Sequence, residues 1–142
     1  MKLASFRLDG RDTWGLVEGN QVRPVVDDIA RRYPTLRAAI AADLFGGPRT
    51  DLFVDQALDL DGVELIVPVP DCGKIICVGR NYMDHLNEMG AKAPDYPNLF
   101  VRFPDSLVPP GGKIVAPRLS KEFDFEGELC LVIGKGGRHI AR

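Results

Sequence analysis

Lys74-Ile75-Ile76-Cys77-Val78-Gly79 decides the reading of this chain. A run apolar at successive positions, rich in β-branching and stopped by glycine, describes a short buried strand, because neither face is left for water. The strand's end at Gly79 delivers the next residues to a surface. They are Arg80-Asn81-Tyr82-Met83-Asp84-His85-Leu86-Asn87-Glu88, a polar cluster in which His85 and Glu88 stand three apart. In a helical turn that spacing puts both on one face, where the carboxylate can orient the imidazole and raise its basicity, as a water-activating pair requires. The same spacing also occurs in ordinary surface pairs. Tyr82 is a candidate ligand contact within the cluster.

Downstream, Asn98 to Phe103 reads as a second strand, Pro109-Pro110-Gly111-Gly112 as a turn and Ile114 to Ala116 as a brief strand before Pro117. The segment Asp124-Phe125-Glu126-Gly127-Glu128-Leu129 carries the other signal. Strand side chains alternate, so Asp124, Glu126 and Glu128 would share a face, with neighbours about 7 Å apart. Two such carboxylates can converge on a hard cation such as Mg²⁺, Mn²⁺ or Ca²⁺; the other reading is a solvated acidic face. The continuation Leu129-Cys130-Leu131-Val132-Ile133 is apolar on both faces and is expected deep in a sheet. Carboxylates entering such a strand need a compensating charge.

Upstream, Lys2 to Val26 reads as three short strands joined at Asp9-Gly10 and Glu18-Gly19-Asn20, a β-meander. Asp27 or Asp28 is expected to cap a helix through Ile29, Leu36 and Ile40, cut into two pieces by Pro34. Gly46-Gly47-Pro48 breaks the pattern, and the extended link with Pro68 and Pro70 sets a boundary near residue 70. Phe6, Trp14, Phe45, Phe53 and Phe100 are read as packing residues, and His139, in a Gly-rich basic tail, as exposed.

The whole is 142 residues with 18 Lys and Arg against 20 Asp and Glu, a formal charge of -2. Basic residues form no dense run, so nucleic acid is not an expected partner. The longest apolar stretches fall far short of the roughly 20 residues that span a bilayer, and the N-terminus lacks the apolar core of a signal peptide. No membrane partner and a cytoplasmic location are expected. Cys72, Cys77 and Cys130 offer no CxxC pair and read as reduced thiols, Cys77 and Cys130 as small buried hydrophobes.

Taken in order, the block from Lys74 to His85, then Leu99-Phe100-Val101-Arg102-Phe103 with Ser106, then Asp124 to Leu129 with Val132-Ile133-Gly134, resembles the fumarylacetoacetate hydrolase family over about residues 65 to 142. The resemblance implies a mainly β (α+β) protein: a small N-terminal β-rich domain over 1–70, then the first part of a rolled mixed β-sheet catalytic domain over 71–142. It implies that Glu126 and Glu128 bind Mg²⁺ or Mn²⁺, with Ca²⁺ as a substitute, and that His85 and Glu88 form the water-activating dyad. Arg80, Asn81, Tyr82 and Arg102 are then substrate-binding residues; Arg102 stands where many relatives have Lys, which keeps the charge and changes the hydrogen-bond geometry.

The implied activity is hydrolysis of a carbon–carbon bond in a β-dicarbonyl acid, or hydration or decarboxylation of a related 2-oxo acid, in aromatic catabolism. The implied partners are a small 2-oxo or 1,3-dioxo acid and a second copy of the chain. The family's remaining metal ligand, an Asp on a later strand, falls beyond Arg142, as does its substrate-binding Lys. A truncated, cleaved or split product is therefore expected, and the competing reading is a non-catalytic fragment or subunit that binds a complementary chain.

Overall fold

The computed structural model describes residues 1–47 and 49–141; Pro48, in the expected break, and Arg142 lie outside the described residues. The chain divides into two units, Met1–Val69 with the chain from Val108 onward, and Pro70–Leu107. Its regular structure is mainly β with short helices, the expected class.

In the first unit, strands β1 (Leu3–Leu8), β2 (Arg11–Glu18) and β3 (Gln21–Pro24) form the expected meander. Asp9 and Gly10 both take positive φ, 49° and 75°, the backbone that lets a two-residue turn follow the twist of its strands. The short strands β4 (Leu58–Asp59) and β5 (Glu64–Leu65) close the edges in the antiparallel order β4-β3-β2-β1-β5. Arg7 ties three strands together on the exposed side through Asp12 at 2.8 Å and Glu64 at 2.9 Å.

The core lies under β2. Trp14 is fully buried, meets the rings of Phe45 and Phe53 edge-on at 5.8 and 5.9 Å, and donates its indole N–H to the Tyr33 carbonyl at 2.9 Å. The buried polar edge is thus satisfied while the ring body packs. Helices α1 (Asp27–Arg32) and α2 (Leu36–Ala41) flank Pro34 as two pieces, with Leu36 and Ala39 packed into the cluster. The expected cap at Asp27 or Asp28 is corrected: Val26 occupies the N-cap without a side-chain bond, and both aspartates sit inside the first turn, at the positive end of the helix dipole.

The second unit holds β6 (Ile75–Gly79), α3 (Met83–Glu88) and β7 (Asn98–Arg102), with β6 and β7 antiparallel. Both strands were expected, but β6 was expected buried, and none of its residues is buried, with Ile76 59% exposed. On one face of this ribbon Ile76 stands opposite Val101 and Val78 opposite Leu99, and Ile76, Leu99 and Val101 are exposed. Phe100, read as a packing residue, is also exposed at 36%, because among the described residues this pair has no covering layer.

Two expected strands are absent among the described residues: Ile114 to Ala116 and Phe123 to Ile133 carry no regular structure. Leu129, Leu131 and Ile133 are exposed at 82, 80 and 79%, and Cys130 is exposed rather than buried. A strand is held by the ladder of its neighbour, and the strands of both sheets pair with one another and not with this run.

Candidate active site

The chain leaves β6 through a sharp turn. Gly79 sits where a Cβ would come within 3.3 Å of the Asn98 amide, so the two strands approach closely at this end. Arg80 follows with φ +58°, in the left-handed region that a side chain rarely adopts. Tyr82 is then the N-cap of α3, and the Leu86 amide bonds back to its carbonyl at 3.1 Å.

The far end of α3 is closed by Gly90, whose φ of +60° suits its lack of a Cβ. Its amide reaches the Asn87 carbonyl at 3.1 Å, and the Ala91 amide reaches the Leu86 carbonyl at 2.9 Å, the paired closure of a helix C-terminus. Leu86 is buried and anchors the helix on its inner side.

His85 and Glu88 lie on this helix as their spacing requires, with Nδ1 3.8 Å from Oε2. Their side chains are 58 and 77% exposed, so the pair is weakly held and open to an incoming ligand. At about 100° per residue, His85 and Glu88 share the outer side of α3, and Tyr82, whose backbone is extended, stands at its N-terminal end. Tyr82 is exposed there as well.

The opposite side of α3 borders a cavity of about 290 Å³, walled by Val78, Arg80, Asn81, Met83, Leu86 and the loop around Asp95. His85 and Glu88 are not on that wall. Asp95 was not singled out from the sequence; the signal available was its place between Pro94 and Pro97, which stiffen the loop returning to β7.

Arg102 pairs with Ile75, whereas Gly79 pairs with Asn98. It therefore stands at the other end of the ribbon from Gly79, about 13 Å away along the strand.

Glu126 and Glu128 fall in the first unit, exposed and without a strand to align them. The Phe125 amide bonds to the Asp124 carboxylate at 2.8 Å. Hard oxygen donors suit Mg²⁺ or Mn²⁺. Among the described residues, however, no three His, Cys, Asp or Glu side chains converge where a cation could be held. The donors have the right chemistry, and the described residues do not assemble them into a cation site.

Residues 74–142 match the family model described as fumarylacetoacetate (FAA) hydrolase C-terminal. The chain is 39% identical over 104 residues to "Oxaloacetate tautomerase FAHD2A, mitochondrial" of Homo sapiens, a match covering 73% of the chain and 30% of the relative. It is 40% identical over 104 residues to the corresponding protein of Rattus norvegicus, with the same coverage. It is also 39% identical over 67 residues to "Uncharacterized protein PH0643" of Pyrococcus horikoshii, covering 47% of the chain and 29% of the relative. The chain thus spans less than a third of the length of these relatives.

Proposed function

Residues 74–142 belong to the fumarylacetoacetate hydrolase family, and from that membership and the His85–Glu88 pair we propose that the chain is part of an enzyme acting on a small 2-oxo acid by proton transfer next to its carbonyl. The observation that carries the reading is the pair itself, a base and a carboxylate 3.8 Å apart on an open helix face. Moving a proton between carbon and oxygen interconverts the keto and enol forms of such an acid. The same base turned on water cleaves a β-dicarbonyl acid or drives hydration. Oxaloacetate heads the candidate substrates because the mammalian relatives are named as its tautomerases. Acylpyruvate-like acids follow, and nothing in the comparisons points to aromatic catabolism.

In this reading His85 takes the proton and Glu88 orients the imidazole and balances its charge. Arg80, Asn81 and Tyr82, around the turn into α3, are proposed to hold the reacting acid, and Arg102, at the other end of the ribbon, is proposed to join them in a protein of the relatives' full length. Glu126 and Glu128 are proposed as two of the ligands of Mg²⁺ or Mn²⁺, with Ca²⁺ as a substitute, in a protein of the relatives' full length. The division into 1–70 and 71–142, a homodimer and a cytoplasmic location belong to the same proposal, although the mammalian relatives are named mitochondrial. Among the described residues no helix is long and apolar enough to cross a membrane.

His85→Gln in the protein at its relatives' length tests the reading, because glutamine keeps a hydrogen-bonding side chain and removes the basic nitrogen. Loss of the ultraviolet absorbance of enol oxaloacetate reports tautomerisation, and acylpyruvate cleavage is followed in parallel. Turnover should fall ~10² to 10⁴-fold, the range for a positioned base. Glu88→Gln should give a smaller defect of the same kind. Wild-type turnover in His85→Gln would remove the pair from the mechanism.

A second reading has its own observation. The exposed apolar residues Leu129, Leu131 and Ile133, with Ile76, Leu99 and Val101 on the ribbon, favour a chain that binds a complementary polypeptide. Activity appearing only when a separate chain carrying the rest of the domain is added would support it.

A further inference from the structure

The proposed proton transfer needs His85 and Glu88 on one helical face, and α3, which puts them there, is only six residues long. A helix that short does not hold itself in water, because its first turn fixes three residues for a single hydrogen bond. Among the described residues of Pro70–Leu107, Leu86 alone is buried, and a bond at each end of α3 runs to its backbone. The Leu86 amide donates to the Tyr82 carbonyl at 3.1 Å, and the Leu86 carbonyl accepts from the Ala91 amide at 2.9 Å. The second bond requires the chain to reverse at Gly90, at φ +60°. The Met89 and Gly90 amides close the same turn, onto the His85 carbonyl at 3.2 Å and the Asn87 carbonyl at 3.1 Å. The accepting carbonyls are thus those of His85, Leu86 and Asn87, the stretch that leads from the base to its carboxylate partner.

We infer that Gly90 is a positioning residue for the pair: its left-handed backbone closes the turn on which His85 and Glu88 stand, and that closure sets the fraction of molecules in which base and carboxylate meet. The inference rests on the reaction proposed above. Gly90 touches neither member of the pair through a side chain, and acts on them through the backbone of α3.

The requirement at this position is conformational and not steric. A Cβ built on Gly90 meets nothing within 4 Å, so a side chain has room there and lacks only an easy left-handed backbone. That backbone disfavours alanine against glycine by a factor of about 5 to 30. Asparagine enters it more readily, because its short amide bonds to nearby backbone groups. Alanine and asparagine therefore separate the two causes. Asparagine is the larger side chain, so crowding would make it the worse substitute, whereas backbone preference makes it the better one.

Protection of the Met89 and Ala91 amides against hydrogen exchange, read by NMR in the 142-residue chain, follows the closure. Loss of enol oxaloacetate, read in the protein at its relatives' length, follows the pair. In Gly90→Ala the protection should fall about 5- to 30-fold, and kcat/KM should fall with it by up to the same factor. Gly90→Asn should recover most of both. Emission from Trp14, buried in the first unit, should be alike in all variants. His85→Gln should lose turnover and keep the wild-type protection. Wild-type turnover in His85→Gln would remove the proposed reaction and this inference together. The inference alone is overturned if Gly90→Ala keeps its protection, if protection falls while kcat/KM stays, or if Gly90→Asn is impaired as much as Gly90→Ala. A changed Trp14 emission in Gly90→Ala would mark loss of the whole fold and overturn it as well.

Discussion

Gly15 shows how one residue can fix the spacing of a sheet. It lies in β2 beside Pro24 of β3, and a Cβ at this position would come 2.4 Å from the Arg23 carbonyl oxygen. The neighbour is backbone, so it cannot swing aside. Replacing glycine by alanine ordinarily stabilises a folded chain by about 0.4–1 kcal/mol through the unfolded state. Forcing a methyl group into a closed contact costs about 1–3 kcal/mol, and the clash wins. Gly15→Ala should therefore lower stability in a urea titration; a midpoint at or above the wild type would show that the strands can part without cost. The sequence marked Trp14 beside it as a packing residue, because a large aromatic needs burial. It gave no sign of Gly15, whose constraint comes from a partner strand and not from its neighbours in the chain.

Elements whose signals are local matched the sequence reading closely. Asp9-Gly10 and Glu18-Gly19-Asn20 carry their own turn chemistry, and Pro34 breaks the helical segment whatever packs on it. Thr35 illustrates the same locality: it is the N-cap of α2, and its hydroxyl accepts from the Ala38 amide at 3.2 Å. Thr35→Ala should cost about 1 kcal/mol, visible as a lower melting temperature, whereas Thr35→Ser should recover most of it because the oxygen is kept. If alanine and serine melted alike, the hydroxyl would be contributing nothing to the helix. The spacing of His85 and Glu88 was legible as what a helical turn would put on one face, while the helix itself at 83–88 was not read from the sequence. Which side of α3 packs inward was not legible either, because that is set by the burial of Leu86, a tertiary contact. The position of Arg102 was equally hidden, being set by its register against Ile75.

At the scale of the molecule, the stretch with the clearest sequence pattern is the one the described structure leaves without a strand. Alternation in Asp124 to Glu128 and the apolar run after it specify which residues would share a face. They do not supply the neighbouring strand that makes a face exist. The two carboxylates accordingly stand exposed, and the consequence for metal binding is quantitative. Mg²⁺ asks for six oxygen ligands in near-octahedral order, so two flexible glutamates leave most of the shell to water and hold the ion weakly. Mn²⁺ titrated into the 142-residue chain should bind weakly, and Glu126→Gln or Glu128→Gln should change that affinity little. In a protein of the relatives' full length, where further donors and neighbouring strands are proposed, either substitution should weaken Mn²⁺ by tenfold or more, about 1.4 kcal/mol. Water-proton relaxation, which falls or rises with the number of waters left on the ion, measures both cases. Equal affinity of wild type and both variants at full length would take Glu126 and Glu128 out of the metal site. The role of His85 would stand after that result, because its pairing with Glu88 depends on the turns that open and close α3 and not on the ion.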